Sequence, residues 1–164
     1  MSTVSELPAA DWELWRTMRS MNEYLSRELD RQLQRDAGIS QADYRILLAL
    51  YEAPEHRLRT GELGDLVAWE KSRVSHQVAR MEARGLVERL VCDVDGRGTW
   101  VSLTTEGTRS FLGAVRQHAA TIRELFVDEL TDDEKAIMLA ATSRVVAKLD
   151  AVCQSVAADQ AGAA

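Results

Sequence analysis

Apolar residues recur at helical spacing along most of this chain, and one short stretch between the helical segments alternates instead. From Asp11 to about Ala37, Trp15, Met18, Leu25, Leu29 and Leu33 fall close to one face, and Gly38 follows where a C-cap belongs. Ser40 is placed to cap the next helix, SQADYRILLALYEA, which is apolar enough to be the central core element and stops at Pro54. Thr60 can cap a short helix carrying Leu63, Leu66 and Val67 and ending at Trp69. A further helix runs from about Glu70 to Arg84. Val74, Val78 and Met81 share its buried stripe, and Ser72, His76, Ala79 and Ala83 lie on the far side.

The pattern then changes. Gly85 occupies a left-handed C-cap position, Leu86 to Cys92 is rich in apolar residues, and Asp95-Gly96 gives a two-residue hairpin signal before Thr99 to Thr104. Arg57 to Arg59 reads as a short extended piece beside this ribbon. The order helix, turn, helix, ribbon is that of a winged helix-turn-helix. Helical spacing resumes at Thr104 or Thr105, with Phe111, Val115, Ile122, Leu125 and Phe126 inward as far as about Leu130. Thr131 and Glu134 form a capping box for a last helix. In it Met138, Val145 and Val152 repeat at sevens, as do Thr142, Leu149 and Val156, a seam that needs a facing helix, either the chain's own or that of a second copy. The Ala-rich tail from Ala157 is expected to fray.

The expected architecture is therefore mainly α with a small β-wing. A single domain spans 1–164, with a winged helix-turn-helix core over 40–103 flanked by dimerisation helices at 11–37 and 104–156. At 164 residues and 46% hydrophobic content the chain is large enough for one proper core. No basic, apolar leader stands at the N-terminus and the longest apolar run, Ile46 to Tyr51, is too short to cross a bilayer, so a cytoplasmic protein with no membrane partner is expected. Cys92 and Cys153 form no CxxC and no Cys/His cluster, which argues against a disulfide framework or a structural metal, and both read as packing residues.

A formal charge of −6 would repel phosphate if it were spread evenly. It is not: Lys71 to Arg84 holds four cations against Glu82 alone, a local +3 that leaves −9 on the rest. A helix face that is small and polar in the middle, with Arg73 and Arg80 at its edge, suits the major groove of duplex DNA. On that chemistry Ser72, Arg73, Ser75, His76 and Arg80 are candidates for base edges and phosphates, and Lys71 and Arg84 for backbone phosphates. Arg97, between two glycines at the ribbon tip and aimed by Asp95, is a candidate for the minor groove; a plain turn with an incidental ion pair is the alternative.

Taken together these motifs resemble the core of MarR-family transcription regulators. The wing pattern appears as Asp95-Gly96-Arg97, then Val101-Ser102-Leu103-Thr104, then Gly107. The recognition-helix pattern appears as Ser72, Val74, Arg80-Met81 and Gly85-Leu86-Val87. The resemblance covers nearly the whole chain. It implies a homodimeric, sequence-specific regulator of double-stranded DNA, a repressor on pseudo-palindromic operators, released by a small aromatic or phenolic effector. Residues that could line an effector crevice are Trp12, Trp15, Arg16 and Arg19, then Asp43, Tyr44 and Arg45, and finally His118. For Trp15 the alternative, which its apolar bulk favours, is a core or dimer-interface anchor, and for Tyr44 and His118 it is a satisfied core polar group. The first-helix Trp and second-helix Asp of urate-responsive relatives have possible echoes in Trp15 and Asp43, but Ser102 stands where those relatives carry an Arg. Peroxide sensors of the family use a cysteine near the start of the first long helix, and this chain has none there.

Catalysis is not expected, and no cofactor is implied. His56, His76 and His118 are far apart, no HExxH, GxSxG or phosphate-binding glycine loop is present, and Asp132-Asp133 sit at a helix start as dipole partners. The competing readings are an activator with the same DNA chemistry, a protein-docking module on the same fold, and a small-molecule-binding protein without DNA function.

Overall fold

The computed structural model describes residues 7–91 and 99–162, except for the side chains of Val91 and of residues 153–162. The element order is α1 (Ala9–Ala37), α2 (Gln41–Glu52), β1 (Arg57–Arg59), α3 (Thr60–Val67), α4 (Lys71–Ala83), β2 (Val87–Val91), β3 (Thr99–Leu103), α5 (Thr105–Ile122) and α6 (Asp132–Gly162). One turn of 3-10 helix, Pro54–His56, precedes β1, and a π-helical turn, Arg123–Val127, follows α5. The chain divides into two compact units, Met1–Thr121 and Ile122–Ala164.

In the first unit the helix boundaries follow from local chemistry. Gly38 takes the left-handed conformation (φ 64°) and its N–H donates to Gln34 O, closing α1. Ser40 and Asp43 form a full capping box on α2: Asp43 N–H donates to Ser40 Oγ at 3.1 Å, and Ser40 N–H to Asp43 Oδ2 at 2.8 Å. Gly85 (φ 72°) ends α4 in a Schellman motif, its N–H reaching Glu82 O and Leu86 N–H reaching Met81 O.

The cap of α3 differs from the sequence expectation. Arg59, not Thr60, is the N-cap: its backbone N–H donates to Glu62 Oε2 at 2.8 Å, and the Thr60 hydroxyl donates across to Thr99 O at 3.2 Å. The strand β1 runs straight into α3, so its pairing to β3 fixes where the helix begins. At its other end α3 closes with Ala68 in the left-handed region (φ 53°), where Trp69 N–H donates to Gly64 O at 2.9 Å. An alanine there costs roughly 1–2 kcal/mol, which the surrounding contacts must offset.

The sheet has order β1-β3-β2, all antiparallel, with Leu58 opposite Val101 and Val101 opposite Arg89. Arg57–Arg59 is thus the third strand, as its extended reading implied. Val101 and Val87 are buried and join a core formed by Ile46, Leu47 and Leu50 of α2, Leu63 and Val67 of α3, Val74, Val78 and Met81 of α4, and Phe111 and Ala114 of α5. Each of the larger of these side chains contributes about 1.5–3 kcal/mol by leaving water. Leu66 is not part of this core; it is 64% exposed, because an eight-residue helix can turn only one narrow stripe inward. Likewise Trp15 (58%) and Met18 (40%) stand outside, and only Leu29 and Leu33 of the α1 stripe are buried.

Where α5 begins, the Thr104 hydroxyl accepts from Gly107 N–H at 2.9 Å and donates to Gly85 O at 2.6 Å. A Cβ at Gly107 would overlap the Leu86 carbonyl oxygen and lie 2.9 Å from its carbon. In the same unit His118 is buried, and its Nδ1–H is a donor to Gln32 Oε1 at 2.9 Å, while Gln32 Nε2 donates to Asp36 at 3.0 Å.

In the second unit, Thr131 N–H donates to Glu134 Oε2 at 2.8 Å and Glu134 N–H to Thr131 Oγ1 at 3.3 Å, the expected capping box. Leu125, expected inward, is 43% exposed in the π-helical turn, whose wider spacing carries the stripe off register. The seam is on the surface, with Val145, Leu149 and Val152 all more than half exposed, and α6 extends to Gly162.

Two tests follow from the first unit. Gly107→Ala forces α5 away from the Leu86 carbonyl, and we expect a loss of about 3 kcal/mol or failure to fold, at the top of the overpacking range, read from urea unfolding; a loss under about 0.5 kcal/mol would show that the two segments separate freely. Burial holds the His118 imidazole below its ordinary value of 6.5, so the neutral ring is favoured in the folded state. Its contribution to stability is whole above pH 6.5 and declines as pH falls from there toward the lowered folded value. The slope of the urea midpoint against pH in that window should flatten in His118→Gln.

Candidate nucleic-acid interface

The recognition helix α4 owes its orientation to what lies beneath it. Val74, Val78 and Met81 are at most 1% exposed, and Gln77 joins them on the inward face. A buried amide needs a partner, and Asp43 of α2 supplies it: Gln77 Nε2 donates to Asp43 Oδ1 at 2.6 Å. The other carboxylate oxygen receives Arg84 Nη1 at 2.7 Å as well as the Ser40 N–H, and Arg84 Nη2 donates to Gly38 O at 2.6 Å. Burial alone would raise the Asp43 pKa, but the hydrogen bonds from Ser40 and Arg84, with the positive charge of Arg84, hold it below the usual carboxylate value. Three segments, the end of α1, the start of α2 and the end of α4, therefore meet on one ion pair.

With that stripe inward, Lys71, Ser72, Arg73, Ser75, His76, Ala79 and Arg80 are all exposed on α4. Arg80 donates to the Gln77 amide oxygen. The Ser75 backbone carbonyl receives Arg89 Nη2 of β2 at 3.0 Å, and Arg89 also pairs with Glu82 at 3.1 Å. Arg73 lies over the Trp69 ring, 4.1 Å from its centroid, and Arg45 lies 5.3 Å from the same centroid. Beside α4 runs a groove of about 720 Å³ whose lining includes Arg59, Thr60, Glu62, Lys71, Ser75 and Arg89. Such a face offers multiple cations and hydroxyls to an anionic, acceptor-rich surface.

Arg84, expected on backbone phosphates, instead has its guanidinium turned to Asp43 and Gly38, where it holds α4 in place. Asp95 and Arg97 lie outside the described residues. The residues expected to line an effector crevice do not gather in one place. Trp12, Trp15, Arg16 and Arg19 line a groove of about 390 Å³ on α1, whereas His118 meets α1 at Gln32, between thirteen residues (from Arg19) and twenty (from Trp12), or about 20 to 30 Å, farther along that helix. Tyr44 packs its ring 4.4 Å from that of His118 and 5.5 Å from Phe111. Both oxygens of Asp43 are engaged, and Arg45 Nη2 donates to Val67 O at 2.7 Å, tying α2 to the turn before α4.

Gln77, Trp69, Arg59 and Arg89 were not among the residues singled out from sequence. A polar residue between Val74 and Val78 on an otherwise apolar stripe was the available signal for Gln77; the others become visible only when strands and turn are placed beside α4.

The MarR family's sequence profile matches residues 37–98. The crystal structure of AbsC, a MarR family transcriptional regulator from Streptomyces coelicolor, is similar with 31% identity and a TM-score of 0.86, over 90% of this chain and 99% of that one. That of Sco3205, from the same organism and family and solved in complex with DNA, has 36% identity and a TM-score of 0.83, over 90% and 92%. PrsX, an HTH-type transcriptional regulator of Escherichia coli, is 25% identical over 115 residues, 70% of this chain and 69% of that protein.

The Asp43 ion pair makes a direct prediction. Asp43→Ala strands the Gln77 amide and the Arg84 charge, and since Arg84 is partly open to water the expected loss of stability is about 2–4 kcal/mol. Thermal or urea unfolding measures it; a loss below about 1 kcal/mol would mean that α4 is seated by its apolar stripe alone.

Proposed function

The chain belongs to the MarR family of transcriptional regulators, and we propose that within it this protein binds duplex DNA sequence-specifically as a homodimeric repressor. Membership places it among regulators of transcription rather than enzymes. The observation that carries the DNA reading is the outward face of α4, where Lys71, Ser72, Arg73, Ser75, His76 and Arg80 are exposed together on an element with buried supports. Sco3205, solved with DNA at 36% identity, supports it. Ser72, Arg73, Ser75, His76 and Arg80 are assigned to base edges and phosphates in the major groove, and Lys71 to the backbone. Arg84 is assigned to seating the helix. Arg97 is assigned to the minor groove, with Asp95 assigned to orient it.

Two copies reading a pseudo-palindromic operator need recognition helices about 34–36 Å apart. Support for a second copy comes from apolar side chains left uncovered, Leu14, Trp15 and Met18 on α1 and, in the other unit, Ile137, Leu139 and Leu149 on α6. Release by a small aromatic or phenolic effector is assigned to the α1 groove, where Trp12 and Trp15 supply ring faces and Arg16 and Arg19 supply charge. No described helix is long and apolar enough to cross a membrane, and action on DNA assigns the protein to the cytoplasm.

The test is fluorescence anisotropy against the DNA upstream of its own gene, at several salt concentrations. The logarithm of the affinity should fall steeply and linearly with the logarithm of salt, and Arg73→Ala should lose about 1–3 kcal/mol at the cognate site. Binding that ignores salt, or an Arg73→Ala protein of unchanged affinity, would overturn the assignment, and sedimentation showing only single chains would overturn the homodimer.

A further inference from the structure

Among the cations on the outward face of α4, Arg73 is held in an unusual way. Arg80 is hydrogen-bonded to Gln77 and Arg84 to Asp43 and Gly38. Arg73 has neither a hydrogen bond nor an ion pair among the described residues, and its guanidinium carbon sits 4.1 Å from the Trp69 ring centroid. A guanidinium against an aromatic face keeps its N–H groups directed outward from its edge while losing freedom of tilt. The donors of Arg73 thus have no partner among the described residues, and the ring beside them narrows the space in which the guanidinium can move.

The ring itself is braced. Trp69 N–H closes the Schellman turn on Gly64 O at 2.9 Å, the half-buried side chain packs against the core, and Arg45, anchored to Val67 O at 2.7 Å, lies 5.3 Å from the ring centroid. Trp69 precedes α4 by two residues, so its position and that of the Arg73 backbone are set by the same turn.

Building on the DNA reading above, we infer that Trp69 is a positioning residue for sequence discrimination: it holds the Arg73 guanidinium as a fixed donor fork for a guanine in the major groove. Guanine is the base whose major-groove edge offers two adjacent acceptors, O6 and N7, at the spacing of two parallel guanidinium N–H groups. A free arginine would have to lose side-chain freedom on binding, at about 0.5–1.5 kcal/mol for a long side chain, and would use phosphates and bases alike. One already held against a ring has lost part of that freedom and reaches a narrower set of acceptors.

The experiment uses the full chain and a duplex selected by the wild-type protein from a random-sequence pool. Affinities at fixed salt are measured for that duplex and for each of its single base-pair variants. Trp69→Leu should flatten discrimination at the G·C pair read by Arg73 by roughly 3- to 30-fold, leaving preferences at other positions in place. Trp69→Phe should retain most of the discrimination, and the Trp69→Leu, Arg73→Ala double variant should be no worse at that pair than Arg73→Ala alone. Loss spread evenly over all positions, or additive effects in the double variant, would show that Trp69 serves the fold only and overturn the inference. If Trp69→Leu melts below the assay temperature, Trp69→Met, which keeps an apolar contact without the ring, answers the same question. A wild-type protein that selects no duplex overturns the DNA reading and this inference together, whereas selection followed by uniform loss overturns this inference alone.

Discussion

Asp43 brings a negative charge to the junction of α1, α2 and α4, where its side chain is out of reach of bulk water, and what surrounds it is dictated by that fact. A carboxylate so placed is stable only with donors on both oxygens. Ser40, Gln77 and Arg84 provide them, and these donors belong to the cap of one helix and to the middle and end of another. The apolar stripe of α4 sets which side faces the core. The polar contacts restrict rotation and sliding on that core, because an amide and a guanidinium must both reach fixed oxygens. The outward face of α4, with its unneutralised cations, is the complement of this inward arrangement.

Much of the scaffold is legible in the sequence because its signals are local. Gly38, Ser40 with Asp43, Gly85 and Thr131 with Glu134 each mark a helix end by chemistry confined to a few residues, and the structure closes each helix there. Val74, Val78 and Met81 are legible for the same reason, since periodicity along thirteen residues is enough to define a face. Leu66 is spaced with Leu63 and Val67 yet faces water, because apolar spacing in a short helix does not reveal how wide the buried stripe is. Thr60 does not cap α3, because the strand entering the helix occupies the capping position.

What escaped were pairings between distant segments. Arg84 and Arg89 look alike in the sequence, each a cation near the end or edge of the reader. Yet one is pinned to a carboxylate forty-one residues away and the other to a helix carbonyl fourteen residues back. Arg45, grouped with Asp43 and Tyr44 by proximity in the chain, points to a different neighbour from either, because successive residues of a helix face directions about 100° apart. The effector candidates separated for a related reason: a 29-residue helix is long enough to carry its two ends into unlike surroundings.

The junction around Asp43 also constrains how this chain can diverge over generations. An acid at position 43 without a cation at 84, or a hydrocarbon at 77 beneath an unchanged acid, leaves a buried group without its partner. Drift at these three sites is therefore concerted, and descendants should hold the trio intact or exchange it wholesale for a nonpolar set, leaving few lineages in which only one member has altered.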